Sequence, residues 1–114
     1  VPLIQVDLDH DHYASIKDRL SQALQEAQVD VYDVPGDDLF QVFRSHAAGE
    51  VRAGEDAAGH PIVIRITGVH RYPLATKQAL FAAITARVSA LGVSPADIHI
   101  ILTENAYEDW YAGK

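Results

Sequence analysis

Pro2-Leu3-Ile4-Gln5-Val6-Asp7-Leu8 near the start of the chain and Pro61-Ile62-Val63-Ile64-Arg65-Ile66-Thr67 at its middle are the stretches that decide the fold. The first alternates apolar and polar residues after Leu3, the period-two signature of a strand with one buried face, and predicts a strand over 3–8. The second is rich in β-branched residues and predicts a strand over 61–67. A helical pattern follows each. Ile16, Leu20, Ala23, Leu24 and Ala27 recur at three- and four-residue spacing behind Asp9 and Asp11, two candidate amino-terminal caps, and predict an amphipathic helix over about 12–29. Leu74, Ala75, Gln78, Leu80, Phe81, Ile84, Val88 and Leu91 predict another, closed by Gly92 where a left-handed residue ends the last turn. The turn clusters Val34-Pro35-Gly36-Asp37-Asp38 and Val93-Ser94-Pro95-Ala96-Asp97 then lead into strands over 39–44 and 98–102.

The halves match each other. Pro2 and Pro61, Leu3 and Ile62, Val34 and Val93, Asp38 and Asp97, and Leu39 and Ile98 all lie 59 positions apart. The chain therefore reads as an α/β (α+β) protein made of a duplicated β-α-β unit, the first over 3–45 and the second over 61–103, within one domain spanning 1–114. Each right-handed crossover lays its helix on the sheet, so a four-stranded sheet with two helices on one face is expected. Between His46 and Pro61 the chain is rich in glycine and alanine, which predicts a loop or loose hairpin and the most mobile segment. The element order βαββαβ is shared with ferredoxin-like domains, often regulatory or binding modules, so it leaves more than one architecture open.

Composition narrows the chemistry. The 114 residues are 48% hydrophobic, enough for one core. Neither a run long enough to cross a membrane nor a secretory leader is expected, and a cytoplasmic location follows as the default. Cysteine is absent, so thiolate nucleophiles, disulfides and cysteine-ligated metals are excluded. A net charge of -7 opposes binding to phosphate backbones, and nucleic acid is not an expected partner. His10-Asp11-His12 lacks a third partner at ligand spacing, and His46, His60 and His99 are likewise not assigned as ligands, so no metal site is expected.

Six features recur in order and near-constant spacing: a strand opening at Pro2; the turn Val34-Pro35-Gly36-Asp37-Asp38-Leu39-Phe40-Gln41; His46 followed by Gly49-Glu50; Arg71 between the third strand and second helix; Gly92-Val93-Ser94-Pro95-Ala96-Asp97; and Glu104-Asn105 with Asp109-Trp110. Together they resemble the tautomerase superfamily, in its malonate semialdehyde decarboxylase-like branch, over nearly the whole chain. The resemblance implies a cofactor-independent homotrimer acting on a small anionic oxo acid, with Pro2 as acid or base at a free amino terminus. A terminal secondary amine titrates near pH 8, so modest perturbation brings it to neutrality, where proton exchange is efficient. Val1 precedes Pro2, and this role requires its removal, since an amide nitrogen does not titrate.

By the same resemblance Asp38 supports Pro2 or a water, and Arg71 binds the substrate carboxylate, a task suited to the planar fork of a guanidinium. Trp110 matches a tryptophan of the apolar pocket wall, which relatives extend beyond the position of Lys114. The family's decarboxylases carry a second arginine two positions after the first; here Tyr72-Pro73 follows Arg71, and His70 or Arg65 is the candidate substitute. Three functions stay open: decarboxylation or hydration of a 3-oxo acid, keto-enol tautomerisation of a 2-oxo acid of the phenylpyruvate type, and a non-enzymatic ferredoxin-like binding module.

Overall fold

A computed structural model describes residues 2–54 and 59–112. Val1 and the residues at 55–58 and 113–114 lie outside the described residues, and with them the question of whether Val1 is retained. The order is β1 (Leu3–Asp9), α1 (His10–Tyr32), β2 (Gln41–His46), β3 (Ile62–Gly68), α2 (Leu74–Ser89) and β4 (Ile98–Glu104), with short 3-10 turns at Pro95–Asp97 and Tyr107–Asp109. One sheet runs β2-β1-β3-β4. β1 is parallel to β2, β3 is parallel to β4, and β1 meets β3 antiparallel at the centre, with Ile4 opposite Ile66 and Val6 opposite Ile64.

This pairing separates the two architectures that element order left open. A ferredoxin-like domain splits its βαβ units, placing another strand between the parallel pair. Here the parallel strands of each unit are direct neighbours, and two such units join edge to edge. Ile4, Val6 and Leu8 of β1 and Ile62, Ile64 and Ile66 of β3 are buried and form one cluster with Ile16, Leu20, Leu24 and Ala27 of α1 and Leu80, Ile84 and Val88 of α2. Both helices thus cover one face of the sheet. Arg87 of α2 ties them together by pairing with Glu26 and Asp30 of α1.

The 59-residue match between the halves holds for the outer strands but not face for face in the inner ones. Residues 4, 6 and 8 point to the helices in β1, as do 62, 64 and 66 in β3. Strand side chains alternate, so an odd offset pairs the core-facing Ile62 with half-buried Leu3 on the opposite face. Boundaries move for local reasons. α1 begins at His10 because Asp9 is its cap, the carboxylate accepting the His12 amide at 2.8 Å, while Asp11 sits in the first turn, where the helix dipole favours negative charge. α1 runs on to Tyr32 and ends at Asp33, which takes a left-handed φ of 54°. β2 starts at Gln41, since the Leu39 amide still closes a turn onto the Asp37 carbonyl. Gly92 has φ 99°, as its place after the helix requires.

Candidate active site

β1 and β3 run antiparallel, so the start of β1 lies beside the end of β3, and β4 ends there as well. A cavity of about 180 Å³ opens at this corner. That is well under the roughly 300 Å³ at which pockets for drug-sized ligands begin, and it suits a molecule of few atoms. Its lining includes Pro2 before β1, Tyr32 and Asp33 at the end of α1, Asp38 from the α1–β2 loop, His70 and Tyr72 from the β3–α2 loop, and Glu104 at the end of β4. Gly68 backs the proline: a Cβ built there would stand 3.9 Å from Pro2 Cβ, an ordinary contact. The Asn105 amide donates to the Gly68 carbonyl at 2.9 Å and so holds the ends of β3 and β4 together under the site.

Asp38 owes its position to its loop. The turn at Pro35 and Gly36 is closed by the Asp38 amide, which donates to the Pro35 carbonyl at 3.0 Å. From α1 the buried Gln25 amide donates to the Asp38 carbonyl at 3.1 Å and reaches those of Pro35 and Gly36 at 3.4 Å. The Ile4 amide donates to the Phe40 carbonyl at 3.0 Å and so ties this segment to β1.

Glu104 is held ionised. Its carboxylate accepts from Lys77 Nζ at 2.7 Å and from the Tyr72 amide at 3.0 Å. The Lys77 and Tyr72 hydrogen bonds, with the charges of Lys77 and Arg71, keep its pKa below the ordinary glutamate range against a smaller opposing effect of burial. The Tyr32 and Tyr72 rings stack with centroids 3.8 Å apart and 14° between planes. Burial, the neighbouring Tyr72 and the Glu104 charge push the Tyr32 phenol up to about 12, so it stays a neutral donor throughout the working range. The His70 ring meets Tyr72 and Tyr107 edge-on at 6.1 and 6.3 Å, extending the aromatic rim.

Of the residues singled out by sequence, Pro2, Asp38 and His70 therefore share one cavity, and Arg71 and Trp110 do not line it. Arg71 is exposed next to the rim. Trp110 is half-buried behind it, its indole donating to Asn105 Oδ1 at 2.7 Å. Among the described residues no arginine or lysine lines the cavity; Arg65 is on the exposed side of β3, opposite Gln5. Glu104, Tyr32 and Tyr72 were missed as site residues. Tyr72 carried a signal, since it stands next to the place of the absent second arginine; Tyr32 carried none. Among the described residues no three His, Asp or Glu side chains converge as a metal site requires. His10 and His12 lie in the first turn of α1 rather than in a loop, and His60 and His46 pair with Asp9 and Asp7, both at 2.8 Å.

Comparison with known proteins places the chain in a family. Residues 38–113 match the family described as tautomerase enzyme. The probable tautomerase YusQ of Bacillus subtilis (strain 168) is 29% identical over 99% of this chain and 94% of its own. A crystal structure of a malonate semialdehyde decarboxylase inhibited by 3-bromopropiolate is 31% identical, covers 98% of this chain and 89% of its own, and superposes with a TM-score of 0.90. A second malonate semialdehyde decarboxylase, described with decarboxylase and hydratase activities, is 26% identical over 98% of this chain and 91% of its own, with a TM-score of 0.84. The symmetric trimer of a fused 4-OT shares the fold, at 23% identity over 98% of this chain and 92% of its own and a TM-score of 0.82. On the family match, these relatives and the corner cavity at Pro2, the chain belongs to the tautomerase superfamily, in its malonate semialdehyde decarboxylase-like branch.

Proposed function

We propose that this chain is a cofactor-independent enzyme whose free Pro2 amine handles the proton of a small oxo acid, acting on a 3-oxo acid in the manner of malonate semialdehyde decarboxylase. The observation that carries the reading is that Pro2 lines one small cavity with Asp38, His70 and Glu104. In decarboxylation, protonated Pro2 donates to the 3-carbonyl oxygen, the electrons of the breaking carbon–carboxylate bond move into the enolate, and carbon dioxide leaves. A proton returned to carbon completes the aldehyde. Asp38 and Glu104 favour the ammonium form of Pro2 electrostatically, and Arg71, beside the rim, takes the substrate carboxylate.

A second reading, keto-enol tautomerisation of a 2-oxo acid, is favoured by the lack of lysine and arginine in the described lining. It needs one proton carrier and one anchor, whereas a departing carboxylate gains from two cations. The test compares protein beginning at Pro2 with protein retaining Val1, on malonate semialdehyde and on phenylpyruvate enol. Activity confined to the first form supports Pro2, and the preferred substrate chooses between reactions; undiminished activity with Val1 retained removes Pro2 from the mechanism.

The same reading includes a homotrimer. Leu39, Phe40, Val42 and Ile101 are exposed apolar residues on or beside the outer strands, and a neighbouring subunit would cover them. No helix of the described residues is long and apolar enough to cross a membrane, and a cysteine-free chain needs no oxidising compartment, in keeping with the proposed cytoplasmic location.

A further inference from the structure

Two buried amides on α1 call for an account. Gln25 and Gln28 on α1 are 8% and 2% exposed, on a helix whose other buried residues, Ile16, Leu20, Ala23, Leu24 and Ala27, are aliphatic. Burying an amide without partners costs about 1–3 kcal/mol, so each needs a hydrogen-bonded purpose. Gln25 has one: its single amide nitrogen reaches three acceptors of the turn, the carbonyls of Pro35, Gly36 and Asp38. Gln28 Nε2 donates to the Gln25 side-chain oxygen Oε1 at 3.5 Å, while its own buried Oε1 has no hydrogen-bond partner among the described residues. Neither glutamine is among the residues that line the cavity, whereas Val34, Pro35 and Asp38 are.

We infer that Gln25 is a positioning residue for catalysis, holding the 35–38 turn from behind so that the Asp38 carboxylate stays at the cavity beside Pro2. The inference rests on the reading that Asp38 takes part in the chemistry. The physics is direct. The turn has one internal amide-to-carbonyl bond at Asp38 and one at Leu39, and it hangs between the end of α1 and the start of β2. Without Gln25 the Gly36 and Asp38 carbonyls lose the donor it supplies, the Pro35 carbonyl keeps only the Asp38 amide, and the turn gains freedom. Displacing a reacting group by about 1 Å costs on the order of a hundredfold in rate.

Gln25→Met keeps length and volume and removes the donor; Gln25→Glu keeps shape and turns donor into acceptor, and replaces the first variant should that one not fold. Two readouts are taken on protein beginning at Pro2. Amide hydrogen exchange at Asp38 and Leu39 should speed up on the order of tenfold while β1 and β3 are unchanged; unchanged exchange at the turn overturns the inference whatever the activity. Turnover should fall on the order of ten- to a hundredfold with little change in KM. In the Asp38→Asn background the same change should have almost no further effect, because the group being positioned is already gone. An equal loss in both backgrounds makes Gln25 merely structural and overturns the inference, as does full turnover in the Gln25 variant while Asp38→Asn is impaired. Full turnover in Asp38→Asn itself overturns both the inference and the reading of Asp38 beneath it.

Discussion

Pro2, Asp38 and Arg71 stand at different distances from the proposed chemistry, and kinetics should separate them. Pro2→Ala and Asp38→Asn, at groups lining the cavity, should lower turnover about a hundredfold, the ordinary contribution of a positioned acid or base. Arg71→Ala, at an exposed residue outside the lining, should mainly raise KM, since a carboxylate anchor binds ground and transition states alike. Steady-state assays of the three variants check this, and equal loss of folded protein in all three would make their roles structural. Glu104 adds a pH dependence. Lys77 and the Tyr72 amide lower its folded pKa, so its contribution to stability is present above the ordinary glutamate value of about 4.3 and is lost as pH falls through the folded value. Denaturant midpoints measured from pH 6 down to pH 3 should fall less steeply in Glu104→Gln than in the parent.

α1 serves the site through its carboxy-terminal end, which turns through Asp33 into the Asp38 loop, while its other end, capped by Asp9, anchors the helix. Asp9 performs two tasks, accepting the His12 amide on one oxygen and pairing with exposed His60 on the other. Burial alone would raise its pKa, but the His12 amide and the His60 ring outweigh this and hold it low. Asp9→Ala should cost about 1 kcal/mol through the lost cap, and Asp9→Asn, which keeps an acceptor oxygen, should retain most of that stability. Equilibrium urea unfolding of both variants measures the difference. If both lose the same amount, the charge pair with His60 matters more than the cap, a surprising result for a partner so exposed.

The molecule as a whole is held by one layer of aliphatic side chains between sheet and helices. Ile64 is fully buried at its centre and Leu74 is 69% exposed at the first turn of α2. Ile64→Ala should destabilise by about 2–5 kcal/mol through lost transfer energy and the cavity left behind. Leu74→Ala should stay within about 0.5 kcal/mol in the isolated chain, as expected of an exposed site. Denaturant unfolding checks both. The proposed trimer belongs to the same level: sedimentation should report a mass of three chains, and Val42→Glu, on an edge strand, should lower it.

Much of this was legible in the residues themselves. Periodicity at Ile4-Gln5-Val6-Asp7-Leu8 and at Ile16, Leu20, Ala23, Leu24 and Ala27 is a local property, written by which side chains must be dry, and it marked out both the strand and the buried stripe of α1. Asp9 and Gly92 were readable as ends because caps and left-handed turns depend on a few neighbouring residues. Strand pairing was not, since the same element order serves split and unsplit units and only contacts distant in sequence tell them apart. The site was divided in the same way. Pro2 and Asp38 could be named from the family resemblance and His70 as a candidate substitute for the absent arginine, whereas Tyr32, Glu104 and the buried Gln25 acquire meaning only once α1, β4 and the turn after α1 meet at one corner. Local patterns follow from the neighbours a residue has along the chain; a cavity follows from the neighbours that folding brings to it.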